Sequence, residues 1–394
     1  MSGKILKNAA RKYLDILRVP LVAKVEFLRD FRGLPEYDPG VETAIDEGIA
    51  WLCRAQDNSL SHDGGVARQF SLISGWAPSY PETTGYIIPT FIEYAKLRGD
   101  GKKRFRAKRM LDWLVSIQFA EGGFQGGTIY SKPVLPTTFN TGQILLGLAA
   151  GVREFGEEYR EPMNRAANWL VRTQDDDGCW TKFPTPFASP GLKAYETCVA
   201  WGLLEAARVE CSKSYADAAL ANVKWALKFQ KDNGWFENCC LSDPSKPLTH
   251  TLGYVFRGIL EAYQFCKDCS IFNACKKFAD GLLMAIHKEG LLPGRLLQNW
   301  QGVTSWACLT GSAQVAICLF KMYEFTRNAD YLNAAYNLNQ YVRRTMKVSG
   351  PDEIKGAIKG SFPVYGEYGP YEYLNWACKF VVDANIVEKA TREQ

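Results

Sequence analysis

Four polar residues that each stand next to a threonine recur along the chain at intervals of 58, 56 and 54 residues. They are Glu82, Asn140, Glu196 and His250. Carboxyl, amide and imidazole groups of this kind transfer protons or bind polar substrates. Acidic residues and threonine are also favoured in the first turn of a helix, so each member alone could be structural. As a chemically mixed set, the four residues predict a ring of binding or catalytic side chains.

His250 is the most distinctive of the four because the chain contains only three histidines. Tyr254 follows His250 by four residues and Tyr86 follows Glu82 by four, so each pair shares one face of a helix. Arg295 lies in a segment that we predict to be a long loop, and it offers a cation. Together these residues form the candidate catalytic set.

Aromatic residues are dense in the segments that precede the four polar positions. A cleft rich in aromatic rings suits sugars, which stack on the rings, or carbocations, which the ring faces stabilise. We predict substrate contacts from Tyr86, Trp76, Trp180, Trp235, Trp300, Tyr371 and Asn375.

The elements that must position these residues are marked by a Trp-x4-Gln repeat. Its copies are Trp51 to Gln56, Trp113 to Gln118, Trp169 to Gln174 and Trp225 to Gln230. Self-similarity at a fixed period indicates a repeat architecture. Amphipathic helices alternate here with helices that are apolar all round, and the latter must be buried. Six helices of each kind predict an all-α fold, an (α/α)6 toroid, with an open superhelical solenoid as the structural alternative.

Long connections are predicted wherever an outer helix leads to its inner partner. They are 57–80, 119–136, 175–193, 231–247, 289–303 and 347–370. The alternation of helix direction places all six on one face of the toroid, together with the N-termini of the inner helices. Since helix N-termini carry unpaired N–H groups and partial positive charge, this mouth should favour anionic ligands.

The net charge of +5 is concentrated at the N-terminus, where residues 1–33 hold eight Lys and Arg against three acids. The remaining chain is formally neutral, so we expect no nucleic-acid partner. We divide the chain into a basic helical N-terminal extension, residues 1–40, and a catalytic toroid, residues 41–394. Two interpretations of residues 1–33 stay open: a helix packed on the outside of the domain, which we favour, or a helix that contacts a membrane surface.

The twelve cysteines are scattered and form no paired metal-binding motif, so we predict neither a metal site nor a cofactor. Their use as small buried residues is typical of a reducing compartment. No apolar run of about 18 residues and no signal peptide is recognisable. We therefore expect a cytoplasmic protein, peripheral at the inner membrane face if the membrane interpretation is correct.

The segment from Gln174 to Trp180, Gln-x3-Gly-x-Trp, resembles the QW repeats of squalene and oxidosqualene cyclases and of the related protein-prenyltransferase toroids. Near-matches begin at Gln118 and Gln230. The resemblance implies an α/α toroid. The acidic motif by which the cyclases protonate an olefin is not matched, because Asp175 to Asp177 lies inside the repeat turn. A terpenoid cyclase-like or isoprenoid-binding toroid is therefore an alternative rather than the leading prediction.

A second resemblance is to α/α-toroid polysaccharide lyases and uronyl 5-epimerases, on Asn140, His250, Tyr254 and Arg295 in that order. It implies that the amide and the cation neutralise a uronate carboxylate while the imidazole or phenol takes and returns a proton at C5. Two segments, Gly75 to Tyr86 and Tyr371 to Trp376, are also similar to toroid proteins associated with bacterial surface-polysaccharide synthesis.

From these observations we expect a carbohydrate-active enzyme that acts on a uronate-containing polysaccharide or lipid-linked oligosaccharide. The expected reaction is abstraction of the C5 proton, by a lyase or a 5-epimerase. A glycoside hydrolase that uses Glu82 and Glu196 as its acid and base is an alternative. A toroid that serves only as a docking module also stays open.

Overall fold

The computed structural model describes residues 19–394, and most of them are helical. The α-helices of this part of the chain are α1 (Leu21–Phe31), α2 (Val41–Asp57), α3 (Pro81–Arg98), α4 (Gly101–Ser116), α5 (Thr138–Phe155), α6 (Arg160–Thr173), α7 (Thr197–Glu210), α8 (Lys213–Leu227), α9 (Thr249–Cys266), α10 (Cys269–Ala285), α11 (Leu309–Thr326), α12 (Ala329–Arg344) and α13 (Asn375–Arg392). No helix in the described part is long and apolar enough to cross a membrane.

Six of these helices form a closed inner ring. Helices α3, α5, α7, α9, α11 and α13 each pack against the next, and α13 returns to pack against α3. Helices α2, α4, α6, α8, α10 and α12 form the outer layer. The structure therefore confirms the (α/α)6 toroid, and the contact between the last and first inner helices rules out an open solenoid.

Close packing of the inner ring depends on glycine. A β-carbon built at Gly147 would lie 2.3 Å from the carbonyl oxygen of Gly85, and one at Gly202 would lie 2.3 Å from that of Gly142. Both distances are far inside van der Waals contact, so neighbouring inner helices approach backbone to backbone. This close approach keeps the inner ring narrow.

The glutamines of the Trp-x4-Gln repeat tie each outer helix to the next one. The Nε2 atom of Gln174 donates to the carbonyl oxygens of Gly178 and Ala218, at 3.0 and 2.9 Å. Gln118 and Gln230 make the equivalent pair of bonds. Asp175 accepts hydrogen bonds from the backbone and hydroxyl of Thr181, which closes the turn. The repeat and its aspartates are therefore scaffold, as their position in the sequence indicates.

Short strands join the long loops at the mouth of the toroid. They are β1 (Gln69–Ser71), β2 (Gly75–Trp76), β3 (Ala307–Cys308), β4 (Ser361–Phe362) and β5 (Glu372–Leu374). Strand β1 pairs antiparallel with both β2 and β5, and β3 pairs with β4. The pairing of β1 with β5 connects the first loop to the sixth, so the ring is closed at the loop layer as well as at the helices.

Candidate active site

A cavity of about 340 Å³ lies on the toroid axis, where the inner helices begin. Four of the predicted residues line it: Glu82, Tyr86, His250 and Tyr254. Because α3 and α9 are the first and fourth of six inner helices, they face each other across the ring. Glu82 and Tyr86 thus stand on one wall, and His250 and Tyr254 stand on the opposite wall. Both Tyr86 and Tyr254 reach Phe380 of α13, at ring-centroid distances of 5.5 and 6.4 Å.

Glu82 is poised to exchange a proton near neutral pH. Its side chain is buried at the start of α3, and burial raises the pKa of its carboxyl group to about 7. A hydrogen bond from Tyr80 and the charge of Arg68 partly oppose this rise in the pKa. At physiological pH both protonation states are populated, so Glu82 is able to act as an acid or as a base.

His250 is held neutral on the opposite wall. Burial lowers the pKa of its imidazole to about 4, although the hydrogen bond to Gln314 acts in the other direction. The Nδ1 atom lies 2.9 Å from Oε1 of Gln314, and because an amide oxygen only accepts, the Nδ1–H group donates this hydrogen bond. The lone pair of the neutral ring is therefore on Nε2. The ring packs between Tyr254 and Tyr368, at centroid distances of 4.4 and 5.3 Å. No sequence pattern identifies Gln314 as the orienting partner.

Tyrosine hydroxyls add to the polar surface of the cavity. Burial raises the pKa of Tyr80, Tyr86, Tyr254 and Tyr368 well above the ordinary value for a phenol, so all four are protonated donors at neutral pH. The hydroxyl of Tyr195 is buried and lacks a hydrogen-bond partner among the described residues, whereas a hydrogen bond with Tyr254 opposes the rise in the pKa of Tyr86. A buried donor that lines a cavity and has no partner is available to a polar ligand.

Sequence reasoning missed the cation of this cavity. Arg68 lies in the first long loop, 5.2 Å above the ring of Trp376, and forms an ion pair with Glu372 at 3.3 Å. Among the described residues it is the one Lys or Arg that lines the central cavity. No motif marks Arg68, because its position follows from the pairing of β1 with β5. Tyr195 and Trp376 also line the cavity without having been singled out as ligands.

The polar-threonine template was wrong in its register. The hydroxyls of Thr84 and Thr141 each donate to the carbonyl four residues earlier and accept from a loop N–H, so these two threonines are equivalent. The position that corresponds to Glu82 is therefore Phe139, and not Asn140. Asn140 is fully buried, and its amide donates to the backbone carbonyl of its own loop. It does not line the central cavity.

Arg295 and Glu196 also lie outside the central cavity. Arg295 bonds to Glu367 at 3.1 Å and to the carbonyl of Lys246 at 3.0 Å. The predicted Asn140–Arg295 clamp for a carboxylate is therefore not assembled. Glu196 lines a separate cavity of about 780 Å³ beside the central one, where burial raises the pKa of its carboxyl to about 8. Glu82 and Glu196 therefore line different cavities, whereas the hydrolase alternative required both carboxyls at one bond.

Most of the predicted aromatic contacts belong to the core of the loop layer. Trp76 packs on Trp51 at a centroid distance of 5.7 Å, and Trp235 packs on Trp300 at 5.2 Å. The Nε1 atom of Trp300 donates to a backbone carbonyl at 3.0 Å. These tryptophans hold the loops in place and do not reach the central cavity.

Three other predicted contacts also lie away from it. Trp180 lines the cavity of Glu196, and its Nε1 atom donates to the carbonyl of Leu170. Tyr371 is partly buried beside the paired strands. Asn375 is fully buried and donates to the carbonyl of Ala67, which joins α13 to the first loop. Of the predicted substrate contacts, Tyr86 is the one that lines the central cavity.

Solved structures with the same architecture cover nearly the whole chain. An unsaturated glucuronyl hydrolase specific for heparin matches with a TM-score of 0.72 and 16% identity, over 90% of this chain and 98% of that one. A D-mannose isomerase matches with a TM-score of 0.70 and 12% identity, over 89% and 97%. Cellobiose 2-epimerase from Bacillus thermoamylovorans matches with a TM-score of 0.67 and 11% identity, over 92% and 98%.

At these identities the matches establish the α/α-toroid fold alone. They confirm the toroid part of the QW-repeat resemblance. No protein-family model matches the chain, and no curated protein matches it.

Proposed function

We propose that the protein is a carbohydrate-active enzyme that moves a proton at a ring carbon of an acidic sugar, by epimerase or lyase chemistry. The observation that supports this proposal most is the placement of two proton-transfer groups on opposite walls of one cavity. Glu82 titrates near neutral pH, and His250 is neutral there. An epimerase must remove a proton from one face of the sugar and return one to the other face, which requires such a pair.

In the proposed reaction His250 takes the proton through the lone pair on Nε2. Protonated Glu82 delivers a proton from the opposite wall, to the carbon in an epimerase or to the leaving oxygen in a lyase. A C5 proton becomes acidic enough only when the neighbouring carboxylate is neutralised. Arg68 is positioned for this role in place of Arg295, and the tyrosine hydroxyls bind the enolate oxygens and the sugar hydroxyls.

The cavity has the composition expected of a sugar site. Its volume is within the range of about 300 to 1,000 Å³ that small-ligand sites occupy. Aromatic rings offer stacking surfaces, and their hydroxyls offer hydrogen bonds at the rim. The three similar solved structures are named as enzymes that act on sugars or sugar derivatives.

The direct test is incubation with uronate oligosaccharides in D2O. An epimerase incorporates deuterium at C5, which mass spectrometry detects, and a lyase forms an unsaturated product that absorbs in the ultraviolet. We expect His250→Gln and Glu82→Gln to lower either rate by a factor of about 10² to 10⁴, the usual contribution of a general acid or base. Arg295→Gln serves as the matched control and leaves the rate within about twofold, because its charge lies outside the cavity.

Absence of both products across a panel of glucuronates, galacturonates and mannuronates would exclude proton abstraction at C5. Hydrolysis is the second candidate, because a carboxyl that stays protonated to about pH 7 suits a general acid. It would release a new reducing end without deuterium on carbon, so the same incubation distinguishes the two reactions.

A further inference from the structure

Helix α1 packs on the toroid with its polar side inward. Ala23, Glu26 and Asp30 form its buried face, and both carboxylates are at most 3% exposed. Five of its larger apolar side chains point the other way. Leu21, Val22, Val25, Leu28 and Phe31 are between 43% and 76% exposed. This orientation is the reverse of an ordinary surface helix, in which the apolar face packs on the core.

A buried charge cluster fixes this orientation. Glu26 forms ion pairs with Lys347 and Lys359, and Asp30 pairs with Lys359 at 2.5 Å. Burial alone would raise the pKa of Glu26, but the two lysines outweigh it and hold that pKa below its ordinary value. Rotating α1 to bury its apolar face would leave these charges unpaired in the interior, at a high cost. The outward apolar face is therefore built into the fold.

The charges that border the outward face are positive. Arg32 is exposed, and Arg29 is about one-third exposed beside it. Asp30 is buried and pairs with Lys359, whereas Glu26 also pairs with Arg29 at 4.0 Å, so Arg32 contributes most of the exposed positive charge of this border. A helix face that combines apolar side chains with a basic border is suited to the interface of an anionic lipid bilayer.

We propose that the outward face of α1 binds an anionic membrane surface. Residues 1–18 lie outside the described part, and they carry five Lys and Arg against one Asp. Like charge disfavours pairing of two copies through the face. An anionic bilayer is complementary to both the apolar and the basic residues.

The position of α1 links this surface to the mouth of the toroid. The ring of Phe27 packs on Tyr365 at 4.7 Å, and Asp30 accepts a hydrogen bond from the N–H of Val364 at 2.8 Å. Both partners belong to the loop that also carries Tyr368 into the central cavity. A bilayer bound at α1 would lie next to that loop. The membrane contact stands independently of the chemistry proposed for the cavity.

Flotation of the full-length protein with lipid vesicles tests the proposal. We expect binding to phosphatidylcholine vesicles that contain phosphatidylglycerol, weaker binding at high salt, and little binding to phosphatidylcholine alone. Val25→Ser combined with Leu28→Ser should weaken binding by about tenfold or more, because both side chains would enter the interface. Met284→Ser is the matched control: Met284 is 76% exposed on outer helix α10, and its loss should leave binding unchanged.

Several results would overturn the proposal. If the wild-type protein does not bind the vesicles that contain phosphatidylglycerol, the proposed membrane contact is excluded. Equal binding by the double variant would place the contact elsewhere in the chain. If the wild-type protein is a dimer that does not bind vesicles, and the double variant is a monomer, the face binds a second copy instead. A larger fall in melting temperature for the double variant than for Met284→Ser would show that the face is covered within the chain.

Discussion

Glu82 and Glu196 occupy similar places in the sequence and different places in the molecule. Each precedes a threonine at the start of an inner helix, and burial raises the pKa of each carboxyl, to about 7 and about 8. Glu82 faces His250 across the axial cavity, whereas Glu196 lines a side cavity formed by the second and third long loops. A perturbed pKa and a helix N-terminus are therefore insufficient to identify a proton-transfer group. What distinguishes Glu82 is that His250 lies on the opposite wall of the same cavity.

The largest difference between substitutions of Glu82 and Glu196 should be in catalytic activity. We expect Glu82→Gln to lower kcat/KM by a factor of about 10² to 10⁴, because it removes a group that exchanges a proton with substrate. Glu196→Gln should lower it by less than about tenfold. Steady-state kinetics on whichever uronate substrate is active provides the measurement. Comparable losses in the two variants would show that the side cavity takes part in the chemistry.

The pH dependence of kcat/KM should carry the signature of Glu82 and His250. The proposed base must be neutral, so activity falls as the pH drops below about 4. The proposed acid must be protonated, so activity falls as the pH rises above about 7. Glu82→Gln should remove the upper limb from its residual activity, and Glu196→Gln should retain both limbs. A rise of activity through pH 7 would assign Glu82 the role of base instead.

Substitutions of Glu82 and Glu196 should have similar effects on stability, although their effects on activity differ. A carboxyl whose pKa is higher in the folded protein than in the unfolded chain makes unfolding more favourable as the pH rises between the two values. Replacement by Gln should therefore stabilise the protein at alkaline pH and have little effect near pH 4. For Glu82 the expected gain in the free energy of unfolding is about 3 kcal/mol at pH 8.

Chemical denaturation from pH 4 to pH 9 measures this linkage. The gain from Glu82→Gln should level off above about pH 7, and the gain from Glu196→Gln should continue to about pH 8. A gain that is independent of pH would mean that the substitutions act through packing rather than through the charge.

The sequence was sufficient for the fold because the toroid is built from local signals. The Trp-x4-Gln repeat marks the end of each outer helix, and its glutamine makes the same pair of bonds in successive repeats. Apolar periodicity distinguished inner from outer helices, and loop length identified the mouth. Each of these features can be read within one repeat.

The site was predicted only in part because it depends on register and on distant pairing. Thr83 and Thr84 are adjacent, and the template used the first of them, although Thr84 is the one that matches Thr141. That error of one residue placed Asn140 in the site. Arg68 reaches the cavity through a strand pair that no local pattern encodes. Aromatic content could not distinguish tryptophans that support the loops, such as Trp300, from rings that line the cavity.

The pairing of β1 with β5 has a consequence for how the protein is made. The amide of Asn375 donates to the carbonyl of Ala67, and 308 residues separate these two partners in the chain. Arg68 is the next residue after Ala67, so the wall that holds it is completed only when α13 arrives. Contacts of such long range carry a large loop-closure entropy and form late. A nascent chain on the ribosome would therefore fold its helical hairpins one after another. It would acquire a complete binding cavity only after nearly all of the chain had emerged.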